Sequence, residues 1–175
     1  MRSLFLFKIL FIGDKEVGRS SFLKDSLRTD YFNGERKNTI GVEIYRKELT
    51  IEGRVVDLMI HDVSNKEIWR PLLRSYISGS NAAILMFDLT NLKSFNYLFH
   101  FPKMIREVAG EIPILLLGNK IDLEEERAVS REEGTAFTRD NNLLGYIEIS
   151  AKTGQDCEGI FKLIAENIMT QLQLH

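Results

Sequence analysis

Leu6-Phe7-Lys8-Ile9-Leu10-Phe11-Ile12 runs directly into Gly13-Asp14-Lys15-Glu16-Val17-Gly18-Arg19-Ser20, and Ser21-Phe22-Leu23-Lys24-Asp25-Ser26-Leu27 follows. The first segment is almost continuously apolar, as a buried strand is, and the third reads as the start of a helix. The loop between them has the form G-x-x-x-x-G-K-[ST], except that Arg19 stands where the pattern has lysine. Glycine lets the backbone come close to an anion, and successive N–H groups at a helix N-terminus point toward it. Ser20 holds the hydroxyl position that this pattern uses for a magnesium ion. A strand-to-helix turn without a ligand has the same outline, so the loop alone does not decide between them.

The rest of the chain bounds the answer. Its 175 residues suit one domain, 1–175, with a sizeable core, and no Pro/Gly/Ser-rich stretch marks a linker. A net charge of −2 gives no reason to expect a nucleic-acid partner. The single cysteine, Cys157, cannot form an internal disulfide and fits a reducing, cytoplasmic compartment. No apolar run approaches a membrane span. Residue 2 is arginine rather than glycine, and Gln171-Leu172-Gln173-Leu174-His175 holds no prenylation cysteine. The sequence as given is therefore expected to be a monomer without a lipid anchor.

Beyond the first helix, Val42–Ile51 and Val55–Val63 are β-branched and apolar, with Glu52-Gly53 between them, and predict an antiparallel hairpin. Buried strands follow at Ala82–Phe87, Ile112–Leu117 and Tyr146–Ile149, alternating with helices at Ser94–Ala109, Ser130–Asp140 and Asp156–Leu172. Pro102 should kink the first of these or split it in two. Ser130 with Glu133 has the spacing of a capping box. The alternation predicts an α/β fold of three layers (α/β/α), its six-stranded sheet mainly parallel with one antiparallel hairpin strand.

Ligands of such sheets lie outside the carboxyl ends of the strands. The polar residues there are the Gly13–Ser20 loop, Asp62, then Asn119, Lys120 and Asp122, then Ser150, Ala151 and Lys152. Asn119-Lys120-Ile121-Asp122 has the form N-K-x-D, and here the chain resembles the small GTPases of the Ras superfamily, from Lys8 to about Met169. The resemblance implies a P-loop NTPase domain that binds GTP/GDP with Mg2+. A carboxylate accepts two parallel hydrogen bonds from guanine N1–H and its amino group, a donor pair that adenine lacks. By resemblance that carboxylate is Asp122, with Asn119 bracing the loop, Lys120 covering the ring, and the amide of Ala151 in Ser150-Ala151-Lys152 meeting the guanine oxygen. The phosphates would lie on Gly13, Asp14, Lys15, Glu16, Val17, Gly18, Arg19, Ser20 and Ser21. Phe32, seven residues before Thr39, has the spacing of the aromatic that packs on the base. Ser20, Thr39 and Asp62 would hold the metal.

Asn38-Thr39-Ile40-Gly41-Val42-Glu43 resembles the first switch of Rab and Ran proteins, and Arg70-Pro71-Leu72-Leu73-Arg74-Ser75-Tyr76 an Arf-type second switch helix. Between them the family's G-G-Q or A-G-Q reads Ser64-Asn65-Lys66. Lys66 replaces the glutamine that orients the attacking water, and an ammonium donates hydrogen bonds without accepting any. Asn65 replaces a glycine near the γ-phosphate, Arg19 replaces a compact ammonium with a planar fork, and Lys15-Glu16 fill positions that are small in most relatives. All four touch phosphate handling and none touches base recognition; by the resemblance the catalytic residues are Lys66, Arg19 and Thr39. The expectation is a guanine-nucleotide switch that hydrolyses GTP slowly. A non-hydrolysing scaffold (a pseudo-GTPase) is the alternative, and the N-K-x-D motif argues against a kinase or ATPase. Effectors or regulators would bind through residues 38–76, where Ile40, Val42 and Ile44 with Trp69, Leu72 and Leu73 form either an apolar patch or, residue by residue, part of the core. His61 reads as a packing residue, and Glu124-Glu125-Glu126-Arg127 as a solvated loop.

Overall fold

The computed structural model describes residues 4–27, 41–63, 72–157 and 159–174. Six strands form one sheet: β1 (Leu4–Gly13), β2 (Val42–Ile51), β3 (Arg54–Val63), β4 (Ala82–Asp88), β5 (Ile114–Asn119) and β6 (Gly145–Ile149). Their spatial order is β2-β3-β1-β4-β5-β6, and only the β2–β3 pair is antiparallel. This is the mainly parallel sheet that the alternation predicted. The hairpin turn places Glu52 and Gly53 at φ of 50° and 77°, the left-handed pair that a two-residue connection needs.

Every residue of β4 and β5 is buried, the mark of strands covered on both faces. Alternation along β1 divides the core into two layers. Ile9 and Phe11 face one cluster with Phe22, Phe161, Ile164 and Ile168, contributed by α1 (Arg19–Ser26) and α6 (Ile160–Gln171). Leu10 and Ile12 face the other, with Phe95, Phe101 and Ile105 from α3 (Leu92–Asn96) and α4 (Phe101–Ala109). Each fully buried large side chain of this kind contributes roughly 1.5–3 kcal/mol. Phe11 and Phe22 meet edge to face at 5.8 Å and pin α1 beneath the end of β1.

The elements differ from expectation where local chemistry intervenes. The helix expected at Ser94–Ala109 is two: Asn91 caps α3 by accepting from the amides of Lys93 and Ser94, and Pro102 sits in the first turn of α4. The final helix starts at Ile160 rather than Asp156, because Asp156 (φ 57°) and Gly159 (φ 80°) are left-handed. Cys157 therefore lies buried in a turn and not in a helix. A short helix, α2 (Leu73–Ile77), precedes β4, and α5 (Arg131–Asp140) opens with the expected capping box. Ser130 Oγ accepts from the Glu133 amide at 3.1 Å, and Glu133 accepts from the Ser130 amide at 2.7 Å. Gly134 lies in the first half of α5 against Tyr146, where a Cβ would stand 2.3 Å from the ring.

Candidate functional site

β1 ends between β3 and β4, and its loop opens at the carboxyl edge of the sheet. Two glycines make the loop possible. A Cβ at Gly13 would stand 2.6 Å from the carbonyl oxygen of Met86. Gly18 has φ of 98°, and a Cβ there would stand 2.3 Å from the Asn119 amide nitrogen. Val17 is buried, while Lys15, Glu16, Ser20 and Ser21 are exposed. The Lys15 amide donates to Asp14 Oδ1 at 2.7 Å. Among the described residues no acceptor meets the amides of Gly18, Arg19, Ser20 and Ser21, the donors that a helix start leaves over.

Arg19, the first residue of α1, reaches back along the loop to Asp62. Its Nε donates to Asp62 Oδ1 at 2.6 Å, and its Nη1 donates to the carbonyls of Gly13 and Asp14, the latter at 3.0 Å. Both side chains of the pair are largely buried, 13% and 8% exposed. Burial pushes the Asp62 carboxyl above its ordinary value, and the charge and hydrogen bond of Arg19 oppose that without cancelling it. The residues expected to hold a magnesium ion were Ser20, Thr39 and Asp62. Thr39 lies outside the described residues, Ser20 is exposed, and Asp62 is engaged by a guanidinium. No cluster of three His, Cys, Asp or Glu that could hold a metal occurs among the described residues. As arranged, Ser20 and Asp62 do not fit a divalent cation: the carboxylate is already paired with a guanidinium.

At the other end of the edge, Asn119 is 2% exposed and ties two loops together. Its Nδ2 donates to the Val17 carbonyl at 2.8 Å, and its Oδ1 accepts from the Ala151 amide at 2.9 Å. Lys120 adopts φ of 73° and its ammonium meets Asp88 at 2.6 Å. Asp122 is exposed and accepts the Ser150 hydroxyl at 2.6 Å, while Ser150 also accepts from the Thr153 amide. Ala151 is buried and Lys152 exposed. Four strand-end places were expected on one edge: the Gly13–Ser20 loop, Asp62, then Asn119, Lys120 and Asp122, then Ser150, Ala151 and Lys152. Arg19 bonds the first to the second, Asn119 bonds the first to the last, and Asp122 bonds Ser150. Phe32, Thr39, Asn65 and Lys66 lie outside the described residues, as do Ile40 and Trp69. Of the apolar switch-region residues, Val42 is buried, Ile44 and Leu73 are half-buried, and Leu72 is 42% exposed. His61, half-buried on β3, has its imidazole held below the usual value by burial and by Lys8 nearby.

One device was not legible in sequence. Glu148 on β6 accepts Arg127 through both oxygens at 2.9 Å, Arg131 at 2.7 Å and the Tyr146 hydroxyl at 2.7 Å. Arg127 also holds Glu124 at 2.7 Å, so the charge run 124–127 is anchored at its end and staples the 3₁₀ turn Ile121–Glu126 to the sheet. Burial alone would raise the Glu148 carboxyl, yet the bonds from Arg127 and Tyr146 and the charges of Arg127 and Arg131 hold it below its ordinary value. The signal was the spacing of Arg127 from Glu124 and a glutamate inside a β-strand, which a solvated-loop reading overlooked.

Among the described residues no helix is long and apolar enough to cross a membrane. In a comparison with known protein families, the model of the Ras family matches residues 8–170.

Proposed function

The chain belongs to the Ras family, whose members are guanine-nucleotide-binding switches and generally hydrolyse GTP, and from that premise we propose how its own residues perform the task. The purine lies against Asp122, whose carboxylate takes the guanine N1–H and amino group while Ser150 steadies one oxygen. Lys120 and Lys152 flank it, and the Ala151 amide, already oriented by Asn119, stands beside the base. The phosphates lie on the amides from Lys15 to Ser21, against the terminal nitrogen of Arg19 that no acceptor among the described residues takes. Phe32 packs on the base and Thr39 senses the terminal phosphate, as their family positions imply. The observation that carries this reading is Asn119. One buried side chain joins the phosphate loop to the base loop, so both halves of a nucleotide are addressed by one rigid body.

Hydrolysis is slow in this proposal. By their family positions, Lys66 offers no acceptor for the attacking water and Asn65 replaces a glycine near the terminal phosphate, while Arg19 is committed to Asp62. That ion pair also favours the second reading, a scaffold that holds nucleotide without cleaving it. Effectors or regulators bind through residues 38–76, with Leu72 the exposed apolar contact on the described part. The monomeric state and a cytoplasmic site of action belong to the same proposal.

The test is nucleotide uptake by stripped protein offered GDP, GTP or ATP, followed by single-turnover GTP cleavage by wild type and Lys66→Gln. Uptake of the guanine nucleotides alone, slow cleavage and a faster Lys66→Gln variant are expected. ATP uptake equal to GTP refutes the base assignment, and a conventional wild-type rate refutes the slow-hydrolysis part.

A further inference from the structure

The clearest departure within the site is the ion pair that closes it. We infer that Arg19 takes the place of a divalent cation, so that the chain retains guanine nucleotide without magnesium. The inference rests on the guanine-nucleotide reading above and adds how the phosphate tail is held.

A lysine at this position would offer one nitrogen, free to move onto a phosphate and leave Asp62 open to a hydrated cation. Arg19 instead divides a planar fork. Nε is spent on Asp62 at 2.6 Å and Nη1 on the carbonyls of Gly13 and Asp14, which fixes the plane of the guanidinium from two sides. Nη2 has no hydrogen-bond partner among the described residues. An incoming phosphate oxygen takes Nη2 without breaking the pair, and the carboxylate that a cation would need stays neutralised. The other carboxylates near by among the described residues, Asp14 and Glu43, already accept protein donors, Asp14 taking the Lys15 amide at 2.7 Å. Glu43, paired with Asp62 across β2 and β3, accepts the Tyr45 hydroxyl at 2.6 Å. The described residues hold no cluster of three candidate ligands elsewhere. A fixed guanidinium, buried on a helix N-terminus whose amides also face the anion, supplies the positive charge that the phosphate tail requires.

The experiment uses the full chain, stripped and loaded with N-methylanthraniloyl-GDP, and follows its release into excess unlabelled GDP, once in excess magnesium and once in excess EDTA. Elemental analysis of the loaded protein reads bound magnesium per nucleotide. Release rates within about threefold of each other and substoichiometric magnesium are expected for wild type, whereas Arg19→Lys should release more than about tenfold faster in EDTA. Asp62→Asn serves if Arg19→Lys does not fold. It should stay insensitive to EDTA, because the loop carbonyls still hold Nη1 and Nη2 still reaches the phosphate. Wild-type release that accelerates tenfold or more in EDTA, or one magnesium per nucleotide, overturns the inference while leaving guanine binding intact. An Arg19→Lys variant as insensitive as wild type, or an Asp62→Asn variant that becomes sensitive, overturns the role given to Arg19. Failure to take up the labelled nucleotide in either medium overturns both readings.

Discussion

Replacing Asn119 with alanine removes two buried hydrogen bonds at once, and the loss is measurable without any nucleotide. Val17 loses the donor to its carbonyl and Ala151 the acceptor of its amide, at a side chain 2% exposed. Each orphaned buried group costs about 1–3 kcal/mol, and a water entering the vacated polar space recovers part of it. The net expectation is a loss of about 2–4 kcal/mol. For a chain of this length that corresponds to a fall of about 5–15 °C in Tm. Urea unfolding of nucleotide-free wild type and Asn119→Ala reads the difference directly. Asp122→Ala is the control: it is exposed, loses one bond to Ser150, and should stay within about 1 kcal/mol of wild type while losing the nucleotide. If Asn119→Ala is no less stable than Asp122→Ala, Asn119 does not join the two loops, and the rigid-body account of the site fails.

Glu148→Gln should destabilise by about 3–5 kcal/mol, because Arg127 and Tyr146 keep their places with weakened partners. The sign with pH follows from the depressed carboxyl: its contribution is complete above about 4.5 and is lost as pH falls through the lower folded value. Acid unfolding of Glu148→Gln should accordingly start from a lower plateau and fall less steeply below pH 4.5 than that of wild type, and parallel curves would remove Glu148 from the acid response. Burial, with Asp25 and Asp156 nearby, pushes the Cys157 thiol up to about 11. Iodoacetamide at pH 8 should therefore label the native chain at least about tenfold more slowly than the unfolded one, and equal rates would show the thiol to be accessible. Ser130→Ala removes one half of the α5 capping box and should cost about 1 kcal/mol in the same urea assay.

The sheet was legible because its strands carry their own signature. Ala82–Phe87 and Ile112–Leu117 are apolar without interruption, and only a strand covered on both faces tolerates that. One helix start was legible from its side-chain cap, at Ser130, and another was misplaced where the backbone turns instead, at Gly159 with φ of 80°. Splitting at Pro102 was expected, but the start of α3 was not, since Asn91 caps from outside the apolar pattern. At the site, reading the strand ends put the Gly13–Ser20 loop, Asp62, Asn119, Lys120, Asp122 and Ser150 on one edge. What spacing could not supply is partnership across long separations: Arg19 with Asp62, Lys120 with Asp88, and Arg127 with Glu148. Each joins charges whose meeting depends on the register of strands distant in sequence.

The contact between Gly134 and Tyr146 limits how this protein can change over time. A hydrogen at position 134 and a phenol at position 146 are two halves of one volume, since any side chain on the helix would overlap the ring at 2.3–2.8 Å. Enlarging the first without trimming the second lifts α5 away, and trimming the second alone opens a void beneath it and strips Glu148 of a hydroxyl. Neither step is open singly, so descendants of this sequence should keep both residues or exchange both.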